Sequence, residues 1–144
     1  INVKIEHMYG ALSSKDLFLY SLIEKLKKNV NEIDLTSATH KRDFIFIDDA
    51  VSAYNIIIKN IDFLPDYEEF ELGSGNNIEF KFFVNLIKLQ LNEYQNVTTK
   101  LNFGAIKYGR NKPKDIKADI TKLKNLGWVE KNNLKAGIKN MLNL

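Results

Sequence analysis

Residues 44–47 form a run of aromatic and β-branched residues, Phe-Ile-Phe-Ile, which is typical of a strand. The residues that follow have the spacing of a helix, with apolar side chains at Val51, Tyr54, Ile57 and Ile58. Asp48 or Asp49 occupies the junction, where we expect the helix N-cap. A strand that passes directly into a helix indicates an α/β fold.

The same alternation of short strands and helices extends along the chain. Further strands are predicted at residues 2–6, 32–35, 70–72 and 98–103, and a helix at residues 81–92. Three more helices follow predicted N-caps, with Gly127 ending the second of them; the caps are Ser13 or Ser14, Asp119 and Asn133. The 144 residues are enough for one domain. Because the chain begins at Ile1 inside a strand pattern, we expect it to be part of a longer protein.

Composition excludes several classes of protein. The chain has no cysteine, which rules out a disulfide scaffold and thiolate metal sites and favours a reducing, cytoplasmic location. We predict no membrane association, since no apolar run approaches the roughly 18 residues of a membrane span. The net charge is +3, but acidic residues are interleaved with the lysines almost everywhere. A nucleic-acid partner is therefore not expected, because such proteins concentrate positive charge on one surface.

The chain lacks complete catalytic motifs. Residues 73–75 (Gly-Ser-Gly) follow a strand and precede a helix, but the third glycine of Gly-x-Gly-x-x-Gly is missing, so a plain turn is the better interpretation. Tyr108 and Lys112 have the spacing of a Tyr-x-x-x-Lys pair, but Pro113 disfavours the helix that would place them on one face. We predict no catalytic residue, no metal ligand and no bound cofactor within this chain.

The two arginines are a stronger signal. Arg42 and Arg110 stand alone among 19 lysines, and both are predicted beside loops. A guanidinium group binds phosphate oxygens bidentately, which an ammonium group cannot do. On residue statistics alone, two ordinary surface arginines are the simpler interpretation. The two histidines, His7 and His40, are far apart in sequence, and ordinary loop positions are favoured for a lone histidine.

Four motifs resemble, in order and spacing, those of the extended short-chain dehydrogenases/reductases that act on nucleotide sugars. Residues 42–51 (Arg-Asp-Phe-Ile-Phe-Ile-Asp-Asp-Ala-Val) resemble the family signature Arg-Asp-Phe-x-x-Val-Asp-Asp. The other motifs are Tyr9-Gly10, residues 72–75 (Leu-Gly-Ser-Gly), and residues 118–122 (Ala-Asp-Ile-Thr-Lys) followed by 126–128 (Leu-Gly-Trp). The resemblance covers essentially all 144 residues. Ala11 departs from the family's usual proline.

The resemblance implies that residues 1–144 are the carboxy-terminal, substrate-binding part of a Rossmann-type enzyme whose amino-terminal Rossmann domain is missing. That domain would bind NAD or NADP and carry the Tyr-x-x-x-Lys pair, so this part is expected to be inactive alone. The partners implied are a nucleotide-diphosphate sugar and a second copy of the parent enzyme, as a homodimer. Within the family, the motif sequences most resemble those of reductases that act on 4-keto-6-deoxy nucleotide sugars in bacterial surface-polysaccharide synthesis. Epimerases and dehydratases share the same signatures.

The resemblance also implies a set of substrate-binding residues. Arg42 would contact the nucleotide diphosphate, Arg110 would be a second phosphate ligand, and residues 33–36 would lie near the base. His7 stands where many members carry an asparagine that faces the substrate. The implied site residues are His7, Ile33, Leu35, Thr36, Arg42 and Arg110. The alternative from another class is a non-enzymatic, Lys-rich module for nucleic acid or protein interaction.

Overall fold

The computed structural model describes residues 1–11, 17–107 and 115–143. Strands and helices alternate through these residues, which is the predicted α/β class. The strands are β1 (Asn2–Ile5), β2 (His7–Tyr9), β3 (Glu32–Leu35), β4 (Lys41–Arg42), β5 (Phe44–Phe46), β6 (Glu69–Leu72), β7 (Ile78–Glu79) and β8 (Lys100–Phe103). The helices are α1 (Phe18–Lys27), α2 (Ile47–Lys59), α3 (Phe80–Asn92), α4 (Thr121–Asn125) and α5 (Leu134–Leu142). Within the described ranges, no helix combines the length and apolar character that a membrane crossing requires.

The strands associate in pairs, three of them parallel. β1 pairs with β6, β2 with β5, and β3 with β8, while β4 and β7 form an antiparallel pair. β1 and β2 are one extended segment that changes partner at Glu6: the Glu6 N–H donates to Leu72 O (2.9 Å) and the His7 N–H to Asp43 O (3.0 Å). Among the described strands, β1 pairs with β6 alone, so its other edge is open.

Strand β5 divides the interior into two hydrophobic cores, because all three of its residues are buried and successive side chains point to opposite faces. Phe44 and Phe46 belong to the first core, which is formed by residues of α1, α3, α5 and strands β2 and β3. Ile45 belongs to the second core, which contains Trp128 and the buried faces of α2, β6 and α4. A strand covered on both faces explains why residues 44–46 are continuously apolar.

Helix α2 begins two residues earlier than a cap at Asp48 requires, and three earlier than a cap at Asp49. Its N-cap is Phe46, which makes no side-chain cap hydrogen bond, so the prediction that Asp48 or Asp49 caps the helix is wrong. Asp49 is buried and instead accepts the backbone N–H groups of Lys131 (2.9 Å) and Asn132 (3.0 Å), while Asp48 is exposed in the first turn. The carboxylate that local propensity assigns to a helix cap instead binds backbone N–H groups that are distant in sequence.

The other predicted caps have mixed outcomes. Asn133 caps α5 by accepting the Ala136 N–H at 2.9 Å, which confirms that prediction. Asp119 accepts the Thr121 N–H at 3.0 Å, although the residue in the N-cap position of α4 is Ile120. Gly127 has φ +89° after α4, the left-handed conformation that was predicted to end this helix. The N-cap of α1 is Leu17; Ser13 and Ser14 lie outside the described residues.

Candidate functional site

A cavity of about 430 Å³ lies beside the first core, where β3, β4, β8 and the start of α3 meet. Its polar lining includes one arginine, two histidines, one aspartate and one threonine. The residues that line it are His7, Phe18, Asp34, Leu35, Thr36, Ala38, His40, Arg42, Phe80, Val84, Phe103 and Ile106. A mostly apolar cavity of this size with a few convergent polar groups has the character of a small-molecule site.

Arg42 is the permanent positive charge of the cavity. It belongs to β4, whose antiparallel register places it opposite Ile78 of β7. The side chain is buried (7% exposed), and its Nη1 donates to the Lys41 carbonyl at 2.8 Å. A buried guanidinium that lines a cavity is suited to a ligand with anionic oxygens, because its N–H fork matches phosphate geometry.

Two imidazoles lie near Arg42 in the same cavity. His7 packs edge-on against Phe44, with ring centroids 5.9 Å apart. His40 stacks on Phe80, with ring centroids 5.1 Å apart and an interplanar angle of 20°. Burial, and then the positive charge of Arg42, lower the pKa of His7; burial, Arg42 and His7 lower the pKa of His40. Both rings are therefore neutral near pH 7, and each gains a positive charge on acidification.

Aromatic residues form the apolar wall of the cavity. The Phe80 ring contacts Phe18 (centroids 5.6 Å apart) and Phe44 (5.8 Å), so the start of α1 and strand β5 are joined through it. Phe44 in turn stacks on Phe83 of α3 at 4.0 Å. Lys81 lies over the Phe103 ring, 4.9 Å from its centroid. A wall of aromatic faces beside a buried cation can hold a flat, partly apolar group next to an anionic one.

The structure brings four of the predicted site residues together. His7, Leu35, Thr36 and Arg42 line the cavity, whereas Ile33 is buried in the first core and is not part of the lining. Arg110 lies outside the described residues, as do Tyr108 and Lys112. Ligand contact by each predicted residue remains a prediction.

Sequence reasoning missed several residues of the lining, and His40 most clearly. It was interpreted as an ordinary loop residue because no partner stands near it in sequence, but the fold places it in the same cavity as His7 and Arg42. The available signal was its position two residues before Arg42, because side chains two apart along an extended segment share a face.

The Gly-Ser-Gly loop does not fit a dinucleotide pyrophosphate. The Ser74 and Gly75 N–H groups, which would bind such a ligand, donate to the buried carboxylate of Asp43 at 2.7 and 3.0 Å. A Cβ at Gly73 would lie 2.6 Å from Asp43 Oδ2 and 2.8 Å from the Ala118 Cβ, so the small residue serves close packing. The interpretation of residues 73–75 as a structural turn agrees with this geometry.

Comparison with known proteins places these features in a family. CDP-abequose synthase of Salmonella muenchen is 35% identical over 144 residues, all of this chain and 47% of that protein. A UDP-N-acetylglucosamine 4-epimerase from Methanobrevibacter ruminantium M1, in complex with UDP-N-acetylmuramic acid, superposes with a TM-score of 0.77 at 12% identity, over 98% of this chain and 44% of that one. A dTDP-glucose 4,6-dehydratase from Bacillus anthracis, in complex with NAD, gives 0.73 at 16% identity, over 98% and 42%.

These likenesses confirm the predicted fold class, an α/β arrangement related to Rossmann-type epimerases and dehydratases. The chain spans about half the length of the proteins that it matches. The sequence model of one family matches residues 1–73, the half that contains β1 to β6 and the Arg-Asp-Phe signature. The chain belongs to the NAD dependent epimerase/dehydratase family.

Proposed function

We propose that this chain is the carboxy-terminal, nucleotide-sugar-binding part of a sugar-modifying enzyme. The observation that carries the proposal is the cavity that contains buried Arg42 beside an aromatic wall. Arg42 binds the diphosphate, and residues 33–36, which are the last residues of β3 and the one after it, lie near the base. The name of the Salmonella relative, CDP-abequose synthase, makes a CDP-linked sugar the first ligand to test.

The remaining half of the enzyme supplies NAD or NADP and the catalytic residues. Two features support this division: the chain covers 47% of its relative, and the N–H groups of its Gly-Ser-Gly loop already bind Asp43. The open edge of β1 gives the missing Rossmann domain a place to continue the parallel pair β1–β6. The role of this chain is to select and orient the sugar, which lowers the entropic cost of reaction.

The reaction of the whole enzyme is a hydride exchange between NAD(P) and a sugar carbon. The reaction we favour is reduction of a 4-keto-6-deoxy nucleotide sugar in surface-polysaccharide synthesis. The sequences of the motifs and the 35% identical relative both support this choice. The enzyme acts as a homodimer in the cytoplasm. Epimerisation and dehydration use the same binding part, so the cavity alone does not distinguish among the three reactions.

Replacement of Arg42 tests the binding role. Arg42→Ala should weaken the binding of CDP-glucose by about 1–3 kcal/mol, the range for hydrogen bonds to a charged group. Calorimetric titration measures the affinity, and circular dichroism verifies that the variant is folded. Lys59→Ala is the matched control, because it removes one exposed positive charge at the end of α2, away from the cavity lining. We expect its affinity to equal that of the unmodified chain.

Two results would contradict the proposal. Equal affinities of folded Arg42→Ala and Lys59→Ala would remove Arg42 from the site. Binding of generic single-stranded RNA with a steep salt dependence, and none of CDP-glucose, would support a Lys-rich binding module instead. A selective, weakly salt-dependent affinity for one nucleotide sugar is the result that we expect.

A further inference from the structure

We infer that His40 is a phosphate-binding residue of the cavity, acting beside Arg42 on the diphosphate of the nucleotide sugar. The inference rests on the proposed function, since it concerns the ligand of the same cavity. It also predicts how the ligand's charge is matched: the two negative phosphates are bound by Arg42, which is always positive, and by His40, which is positive only when protonated.

The backbone places His40 and Arg42 on one side of the chain. The His40 carbonyl accepts the Phe80 N–H at 3.0 Å, and the antiparallel β4–β7 pair begins with Lys41 at the next residue. Side chains two residues apart in an extended segment point in the same direction. Both side chains line the cavity, so two nitrogen-rich groups from one short segment belong to its lining.

Stacking fixes the orientation of the imidazole. The His40 ring is nearly parallel to Phe80, whose own ring is packed against Phe18 and Phe44. The stacking covers one face of the imidazole, and the two nitrogens, which are its hydrogen-bonding groups, lie in the ring plane. A ring held in this way loses little further freedom when a ligand binds. When protonated, the imidazole is also favourably placed over the π-face of Phe80.

The charges around His40 give its protonation a consequence for binding. Arg42 on β4 and His7 on β2 oppose its protonation in the ligand-free cavity, and Asp115 favours it. Asp34 of β3 is the other acidic group in the cavity lining. A bound diphosphate adds two negative charges beside Arg42, and these favour the protonated imidazole. Linkage then requires the ligand to bind more tightly as the pH falls through the titration of His40.

The test is the pH dependence of affinity for CDP-glucose. The diphosphate of this probe is esterified at both ends, so it lacks the second phosphate ionisation, with a pKa of about 6, that a free terminal phosphate has. We expect the affinity to be about five- to tenfold higher near pH 5.5 than near pH 8, since a shift of one pKa unit corresponds to a factor of ten. Calorimetric titration of the chain at both pH values gives the ratio.

Two variants assign the effect to His40. His40→Phe retains a ring that can stack on Phe80 but cannot be protonated, and it should bring the affinity ratio between the two pH values close to one. His40→Gln should do the same, and serves if the phenylalanine variant does not fold. His7→Asn should retain most of the ratio. A purely structural role of His40 would change affinity at both pH values alike and leave the ratio intact.

The outcomes separate this inference from the proposed function. Absence of CDP-glucose binding at both pH values overturns the proposed function and this inference with it. Binding without pH dependence, or pH dependence that survives in His40→Phe and His40→Gln, overturns the role of His40 alone. Loss of the ratio in His7→Asn, with retention in both His40 variants, assigns the titration to His7 and also overturns it.

Discussion

The carboxylate of Asp43 joins three segments of the chain. It is fully buried (0% exposed) and accepts the N–H groups of Ser74 (2.7 Å), Gly75 (3.0 Å) and Ala118 (3.1 Å), together with the Ser74 hydroxyl (2.7 Å). Asp43 directly follows Arg42 and faces away from the cavity toward the second core. The signature pair Arg-Asp therefore combines a cavity residue with an anchor for the loops behind it.

Removal of that anchor should destabilise the fold. Asp43→Ala leaves three backbone N–H groups without their acceptor, at a cost of about 1–3 kcal/mol for each group that water does not reach. We expect a total loss of about 2–4 kcal/mol in the free energy of unfolding, measured by urea denaturation. Asp48→Ala is the control: this exposed carboxylate only complements the dipole of α2, and its loss should cost less than about 1 kcal/mol. Similar costs for both variants would contradict the anchoring role.

Glu130 makes stability depend on pH. Burial, and then the negative charges of Asp49 and Asp43, raise the pKa of Glu130 from its ordinary value of 4.5 to about 7, while Lys124 opposes the shift. The neighbouring N–H groups of Lys131 and Asn132 hold this segment to Asp49, so the glutamate cannot move away without breaking that contact. Its ionisation in the folded protein is therefore unfavourable.

The sign of the effect follows from the direction of the pKa shift. The folded state binds the Glu130 proton more tightly than the unfolded chain does, so this residue lowers the free energy of unfolding at high pH. The loss of stability grows as the pH rises from about 4.5 to 7 and is complete above about pH 7. Glu130→Gln cannot ionise, so it should be more stable than the unmodified chain near pH 8, with a smaller difference near pH 5. Urea unfolding of both proteins at both pH values measures this change. A difference independent of pH would exclude Glu130 as the titrating group.

The unmodified chain must be compared with Glu130→Gln at the same pH, because the histidines change the free energy of unfolding with pH in the opposite direction. The lowered pKa values of His7 and His40 reduce stability as the pH falls, since the unfolded chain binds their protons more tightly. Their contribution is common to both proteins and cancels in the difference.

At the scale of secondary-structure elements, sequence patterns correctly predicted the features that depend on residues close in sequence. The strand predicted at residues 44–47, the helix after it and the Asn133 cap all depend on neighbouring residues, and all are present, although Ile47 belongs to the helix. The cap of α2 was predicted wrongly because Asp49 binds residues 131 and 132, which no local pattern reveals. His40 was missed for the same reason, since its cavity is assembled by strands distant in sequence.

Helix α5 contains a glycine, Gly137, that is explained by its contacts with strands β2 and β5. Gly137 is buried against β2 and β5: an added Cβ would collide with the Tyr9 hydroxyl and lie 3.1 Å from the Phe46 Cβ. The Tyr9 hydroxyl also donates to the Leu134 carbonyl at 3.4 Å. Close approach to Tyr9 explains a residue that helix propensity alone disfavours by about 1 kcal/mol relative to alanine.

Gly137→Ala should therefore destabilise the protein, although the same change in an exposed helix is stabilising. We expect a loss of about 1–3 kcal/mol in the free energy of unfolding, the range for overpacking a core. In the Tyr9→Phe background the loss should be smaller, because the colliding hydroxyl is absent; a double-mutant cycle in urea measures the coupling. A stabilising Gly137→Ala, or equal losses in both backgrounds, would show that Tyr9 does not restrict this position.

For the whole molecule, the alternation of predicted strands and helices was sufficient for the fold class, and the resemblance of four ordered motifs for the family, because both rest on features spread along the chain. The division into two cores across β5 was not predicted. It depends on which strands pair, and the parallel pairs β1–β6 and β3–β8 join segments far apart in sequence. Parallel partners leave no turn between them that a sequence pattern could reveal.

The exterior of α2 bears an apolar stripe that isolated folded domains seldom expose. Val51, Tyr54 and Ile58 are 51%, 37% and 61% exposed, and their spacing of three and four residues places them on one face of the helix. The turn after α2 adds Phe63, which is 86% exposed. If the other half of the enzyme proposed above covers this stripe, the chain alone presents an uncovered interface.

We therefore expect the isolated chain to self-associate reversibly, with a weight-average mass in sedimentation equilibrium that increases with concentration. Ile58→Glu places a charge in the stripe, where burial would be costly, and should shift the chain toward the monomer. Asn85→Glu adds the same charge at an exposed position of another helix, α3, and should leave association unchanged. Equal association of both variants would assign contact to another surface, such as the open edge of β1. A monomeric chain at all concentrations would show that the stripe is not an interface between copies, and would remove one support for the idea that the other half of the proposed enzyme covers it.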